Sequence, residues 1–227
     1  MPEPDERDEP DSITPSPKGQ ALFPRRRGRP PSTSRDEIEH LAIELFARHG
    51  FDATTVDDIA AEAGIGRRTF FRYFASKNDI AWGDFSSGLA RMRQLLADLP
   101  GDLPLMDALR AGVLDFNQVD AAEAPWLRRR MRLILTVPAL QAHSMIKYAE
   151  WRQVVAEFVA ARTGERPAGL VPQAVGWAAL GVSIAAYEQW LEDPDADLAE
   201  LLDGAYHGLA VGFDTPSLGV RGPVAGG

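Results

Sequence analysis

Between Arg67 and Lys77 the chain crowds together side chains able to hydrogen-bond outward: Arg67, Arg68, Thr69, Arg72, Tyr73 and Lys77. A guanidinium presents a fork of N–H donors that matches the O6 and N7 edge of guanine. Hydroxyls and an ammonium suit phosphate oxygens, which fix position without specifying sequence. Phe70 and Phe74, four residues apart, fall on the opposite face and point to a core. The same run on an ordinary surface helix would serve only solubility, so its meaning depends on the elements around it.

Those elements read as helices throughout. Ser34-Arg35-Asp36-Glu37 is a capping box, in which hydroxyl and carboxylate each satisfy an orphan backbone N–H. Ile38, Leu41, Ala42, Leu45 and Phe46 then repeat on one helical face up to Gly50. Thr55, with Asp58 reaching back, caps a short second helix that Gly64 ends. Ile65-Gly66 is a tight turn, and Arg67 to Phe74 a third helix. Ser76 opens a fourth expected to run unbroken to about Leu99. Pro104, Pro125, Pro138 and Pro172 open further helices, the seventh ending at Thr163-Gly164, and Leu198 to Gly212 forms a ninth. No segment alternates as a strand does. The expected class is all-α: a three-helix head over 34–80 and a helical body over 81–214. An acidic then basic arm (1–33) and a tail (215–227) are too polar or too rich in Gly and Pro to pack.

Two short helices joined by a Gly turn, with the bases on the second, describe a helix-turn-helix. The net charge of −9 argues against a nucleic-acid partner only until it is divided along the chain. Residues 25–80 hold ten bases against nine acids, concentrated in the 25–29 run and the third helix, while the rest is acidic. Phosphate contacts are short-ranged in salt, so a local basic face suffices.

Enzymatic readings fail on the residues they need. Ser144-Met145-Ile146-Lys147 fits Ser-x-x-Lys, yet its Ser-Asp-Asn and Lys-Thr-Gly companions are missing. Gly64-Ile65-Gly66 lacks the third glycine of a dinucleotide loop. His40, His49, His143 and His207 show no ligand spacing, and the chain has no cysteine, so neither a metal nor a cofactor is expected. No apolar run approaches the ~20 residues of a membrane span. A cytoplasmic protein is expected.

Three stretches carry a family resemblance: Ala53-Thr54-Thr55-Val56-Asp57-Asp58-Ile59-Ala60, Ala63-Gly64-Ile65-Gly66, and Thr69-Phe70-Phe71-Arg72-Tyr73-Phe74-Ala75-Ser76-Lys77-Asn78-Asp79-Ile80. Over about residues 35–82 the chain resembles the TetR family of transcriptional regulators. With Trp82-Gly83-Asp84-Phe85 added, it is similar within that family to regulators linked to mycofactocin biosynthesis clusters. The resemblance implies a homodimer on a pseudo-palindromic operator in double-stranded DNA. It also implies a small-molecule effector in the body and a ligand-relieved repressor as the mode of action. An activator, or a regulator without a ligand, would share the head and differ in the body. By resemblance, Arg67, Arg68 and Thr69 begin the groove-reading positions and Phe71 and Tyr73 touch backbone or thymine methyls. Lys77 clamps a phosphate, and Thr55 can meet another. Asp57 and Asp58 depart from this picture, since two carboxylates at the start of the second helix repel phosphate. Arg27 and Arg29 resemble the Arg-Gly-Arg-Pro core of minor-groove hooks; a basic tail with diffuse attraction is the other reading.

In the body, Trp82, Phe85, Leu89, Met92, Trp126, Met131, Ile134, Met145, Tyr148 and Trp151 are candidates for a cavity lining, or are plain core, because aromatic and Met side chains also fill bundles. Arg128, Arg129, Arg130 and Arg132 put four guanidiniums within five positions. Arg128 and Arg132 are taken as donors to ligand phosphates at the cavity mouth, unless acids between Asp115 and Glu123 pair with the cluster. Apolar space beside arginines suits a long-chain acyl-coenzyme A. For the dimer, Trp177, Leu180, Ile184, Tyr187 and Leu191 form one stripe, with Gly176, Gly181 and Ala185 allowing close approach. Leu198, Leu201, Leu202, Ala205, Leu209 and Phe213 form another.

Overall fold

Ser34 opens the first helix as the capping box requires: its hydroxyl accepts from Glu37 N at 3.1 Å and its own N–H reaches Glu37 Oε2 at 2.7 Å. The computed structural model describes residues 34–120 and 122–212, so Phe213 and the whole arm and tail, Arg27 and Arg29 included, lie outside the described residues. Among the described residues there are helices and no strands, in agreement with the all-α expectation. In chain order they are α1 (Arg35–His49), α2 (Val56–Glu62), α3 (Arg67–Tyr73), α4 (Lys77–Ile80) and α5 (Phe85–Asp98). There follow α6 (Leu105–Phe116), α7 (Ala124–Thr136), α8 (Pro138–Thr163), α9 (Leu170–Glu192) and α10 (Leu198–Ala210).

The expected long fourth helix is two. Gly83 takes φ +52°, a left-handed conformation that L side chains rarely adopt, and the chain breaks between α4 and α5. The break is held from outside: Arg35 Nη2 donates to Gly83 O at 2.9 Å and Arg130 Nε to Ala81 O at 2.6 Å. The α9 start is also earlier than Pro172, which sits inside the first turn, where proline's missing N–H costs nothing.

Two apolar clusters organise the molecule. Ile38, Phe46, Ile59, Phe70 and Phe74 centre the head, and Ile134 of α7 and Leu140 of α8 complete that cluster, so head and body share packing. The body core joins α5, α6, α8, α9 and α10 through residues such as Met92, Leu109, Val155 and Leu202. Tyr206 OH donates to Ala179 O at 3.1 Å and lies 3.1 Å from Ser183 Oγ, tying α10 to α9 where both groups are buried.

Helix α9 corrects the expectation that no segment could cross a bilayer: its 23 residues are long and apolar enough by length and composition. Its inner face packs on α8 and α10, as Gly176 shows, where a Cβ would lie 3.3 Å from Arg152 O. The outer face leaves Leu170, Val171 and Trp177 exposed.

Candidate functional site

The Thr55 hydroxyl is consumed by the cap of α2: it accepts from Asp58 N at 3.1 Å and donates to Asp58 Oδ2 at 2.7 Å. The Thr55 hydroxyl and N–H hold the Asp58 carboxyl below its usual pKa of 3.8. Asp57, the other acid, takes Arg67: Nη1 lies 2.8 Å from both carboxylate oxygens, with both side chains largely exposed. The two acids that seemed to spoil the second helix therefore have local partners, one in the cap and one on the neighbouring helix.

On α3 the buried member is Phe70, and Phe74 follows it into the core from the C-cap. Arg68 and Arg72 are exposed, Thr69 and Tyr73 half-buried, and Phe71 is 45% exposed despite its apolar ring. Arg67 lies over the Phe71 ring at 5.3 Å and Arg72 over Tyr73 at 5.2 Å. Among the described residues Arg68 has no ion pair. Helix α3 thus offers a continuous face of guanidiniums and aromatic edges, fixed by an apolar anchor, which is what entry into a major groove demands.

Lys77 sits differently from the expected phosphate clamp. Its ammonium donates to Phe51 O at 2.7 Å and Thr54 O at 2.9 Å and lies 4.1 Å from the Phe51 ring centroid. It stitches α4 to the loop before α2, and burial pushes its pKa down, opposed by Asp52. Only its third N–H is left for a phosphate.

Beyond the break the body encloses a cavity of about 250 Å³, half open to solvent. Trp82, Phe85, Met131, Ile134, Tyr148 and Trp151 line it as expected, together with Phe116 and Tyr187. Tyr187 OH donates to Asn117 Oδ1 at 2.5 Å, and burial raises its pKa strongly. The other expected lining residues lie elsewhere. Met92 is fully buried in the body core, and Met145 is 56% exposed. Trp126 stacks edge-on against His40 with centroids 4.5 Å apart.

The arginines of α7 divide. Arg128 donates to the carbonyls of Trp190, Asp193, Pro194 and Ala196 and lies 4.1 Å over the Trp190 ring, so it caps the C-terminal end of α9. Arg132 is exposed and reaches Leu191 O at 3.4 Å, and Arg129 is exposed. Backbone carbonyls at a helix end, not acids of 115–123, are their acceptors. Arg130 is the one that lines the cavity.

Residues 38–81 match the profile of bacterial regulatory proteins of the tetR family, and residues 103–214 match the MftR C-terminal domain. A Mycobacterium tuberculosis protein named as a mycofactocin biosynthesis transcriptional regulator, MftR, is 51% identical over 189 residues, 83% of this chain and 96% of that one. The chain belongs to the TetR family. It is a transcriptional regulator and not an enzyme. Solved TetR-family structures share its fold. The FadR regulator of Bacillus subtilis, in complex with stearoyl-CoA, has a TM-score of 0.56 at 17% identity and covers 79% of this chain and 99% of its own. SmeT, the repressor of the Stenotrophomonas maltophilia efflux pump SmeDEF, has 0.55 at 19%, covering 80% and 90%.

In this TetR protein the sequence missed Arg130, Tyr187 and Asn117 as cavity residues. Tyr187 was assigned to an outer stripe because a helix buried on two sides has no clean period. Arg130 was passed over for Arg128 and Arg132. Its i, i+4 relation to Trp126 and Ile134, both half-buried or buried, was the signal available for its inward direction.

Proposed function

We propose that this chain is a cytoplasmic, dimeric repressor of mycofactocin biosynthesis genes, relieved by an acyl-CoA-like effector. The observation that carries the reading is the position of the cavity. Trp82 and Phe85, the first residues past the head, form its wall, and Trp82 belongs at the same time to the head's own core. A ligand there acts on the segment that aims α3. It relieves repression if it binds better to a body shape whose two heads no longer match the operator half-sites. The bound stearoyl-CoA of the FadR structure supports the ligand class, and the relative from Mycobacterium tuberculosis supports the target genes.

The second copy would cover α9. Only a third of its most apolar stretch is buried within one chain. Leu180 is buried, and Ile184 and Tyr187 line the cavity, so the interface stripe turns to the adjoining exposed face of α9. That face carries Leu170, Trp177, Gly181 and Ala185.

The test is a footprint and binding isotherm on DNA upstream of the mycofactocin genes, with and without stearoyl-CoA. A two-fold protected site is expected, released by the acyl-CoA. Arg68→Ala should weaken specific binding by about 1–3 kcal/mol and relax base preference, as for a base-reading arginine. Wild-type affinity and footprint in both Arg67→Ala and Arg68→Ala would remove α3 from the groove.

A further inference from the structure

Two hydrogen-bond donors on the cavity wall lack acceptors among the described residues. The Trp82 Nε1–H is buried without a partner. Arg130 spends its Nε–H on Ala81 O, the residue next to Trp82, and neither of its amino groups has an acceptor. The indole N–H keeps the cost of leaving water, while the Arg130 amino groups belong to the wall of a cavity that can bring them an acceptor.

The same guanidinium is pressed against the hinge of the head. A Cβ on Gly83 would lie 2.9 Å from Arg130 Nη2 and 2.9 Å from Glu39 Oε2, so cation and carboxylate close over one glycine. Glu39 is a buried acid of α1, its pKa raised by burial against the pull of Arg35 and Arg130. Arg35 ties the knot, donating to Glu39 Oε1 and to Gly83 O, each at 2.9 Å. On its other side Arg130 lies 5.2 Å from the Trp126 ring centroid. One half-buried cation thus touches the cavity, the α4–α5 break and the field of α1 at once.

We propose that Arg130 determines which ligands the cavity accepts and is the point where an occupant is felt by the head. Its amino groups take the acyl oxygen of an apolar ligand, whether the carbonyl of a thioester or a carboxylate. An acceptor on the cavity side competes with Glu39 for the guanidinium's charge. The guanidinium is tied to the break through Ala81 O, so its displacement moves the break and loosens the hold on α1. A bundle packed this tightly answers by switching arrangement rather than by yielding.

The proposal rests on the cavity being the effector site, and the test separates the two. Full-length protein is titrated with lauroyl-CoA, laurate and 1-dodecanol, which share a chain and differ in the acyl oxygen. Binding is read by calorimetry and operator release by fluorescence anisotropy. Wild type should bind laurate or lauroyl-CoA at least tenfold more tightly than dodecanol. Operator DNA should weaken that binding by the factor by which the ligand weakens DNA binding. In Arg130→Gln the preference over dodecanol should fall below threefold. The ratio of its operator affinities without and with saturating ligand should collapse toward one. Wild type binding dodecanol as tightly as laurate overturns the proposal without needing any variant to fold. So does a folded Arg130→Gln that keeps both preference and release, and in that case the effector site stands. Binding of none of the three probes to wild type removes the long-chain effector reading and this proposal together.

Discussion

The molecule carries two arginine clusters, on α3 and on α7, and they live opposite lives. Arg67, Arg68 and Arg72 stay exposed, engaging at most one surface carboxylate and the faces of their neighbouring aromatics. Arg128 and Arg130 reach away from their own helix to carbonyls of α9 and of the α4–α5 break. The difference lies in what each helix faces. Helix α3 anchors through Phe70 and turns its remaining surface to solvent, so its guanidiniums keep their donors for a foreign acceptor. On α7, Arg128 meets the terminus of α9, whose unsatisfied carbonyls and negative dipole end bind a cation outright, while Arg130 gives only its Nε–H to the protein. An arginine cluster is therefore a ligand site only where the protein itself has not supplied the acceptors.

The largest test of this contrast is Arg128→Ala. It strips four carbonyls of their donor and unstacks Trp190. Urea unfolding should show a loss of about 2–3 kcal/mol, the range for hydrogen bonds to a charged group with partners left unpaired. Acyl-CoA binding should change little at temperatures where the variant is folded. If Arg128→Ala instead unfolds like wild type and loses ligand affinity, the cluster on α7 belongs to the ligand and the contrast is broken.

A middle-sized effect sharpens the other side. Thr55→Ala removes the cap of α2 and should cost about 1 kcal/mol of stability, typical of a lost N-cap. Its pH signature follows from Asp58. The folded pKa lies below the ordinary 3.8, so the carboxylate contributes stability that is present above that value and lost as pH falls through the folded pKa. Asp79 shifts in the same direction, burial being outweighed by Ser76, His143 and Lys147. An acid titration of the urea midpoint should therefore fall below about pH 4 and be shallower in Asp58→Asn. An acid limb unchanged in Asp58→Asn would show the cap to be idle.

The head was largely legible because its signals are local. The capping boxes at Ser34 and Thr55, Gly64 and the Phe70–Phe74 pair each act within a few residues, and each appears in the structure as read. The body resisted because its determinants are long-range. Nothing near Gly83 in sequence announces that Arg35 and Arg130, 48 and 49 residues from the carbonyls they hold, will meet at the end of a helix there. The two carbonyls that hold Lys77, those of Phe51 and Thr54, escape a local reading for the same reason, since they lie 26 and 23 residues back. Composition located the cavity's aromatics, but only packing separated Trp82, Phe85 and Trp151, which line it, from Met92, which fills the core.

The smallest effect is the most discriminating, because it asks whether the α3 arginines are as free as they look. Arg67 is bound to Asp57 in the DNA-free protein, 2.8 Å from each oxygen, with 59% and 67% of the two side chains exposed. An exposed pair of this kind contributes roughly 0–1 kcal/mol to stability, so Asp57→Asn should leave the unfolding midpoint almost unmoved. On DNA the carboxylate has two opposing actions. It repels phosphate and competes for the guanidinium, and it holds Arg67 over Phe71 in one orientation. If competition dominates, Asp57→Asn tightens operator binding about two- to fivefold at 0.1 M salt, and the gain shrinks as salt screens the lost repulsion. Affinity for unrelated DNA rises alongside it. If orientation dominates, operator affinity falls while affinity for unrelated DNA rises, and base preference at the Arg67 position relaxes. The contrast between the clusters requires the first outcome. The second would make Arg67 a preorganised group with its own internal acceptor, closer in kind to Arg130 than to Arg68.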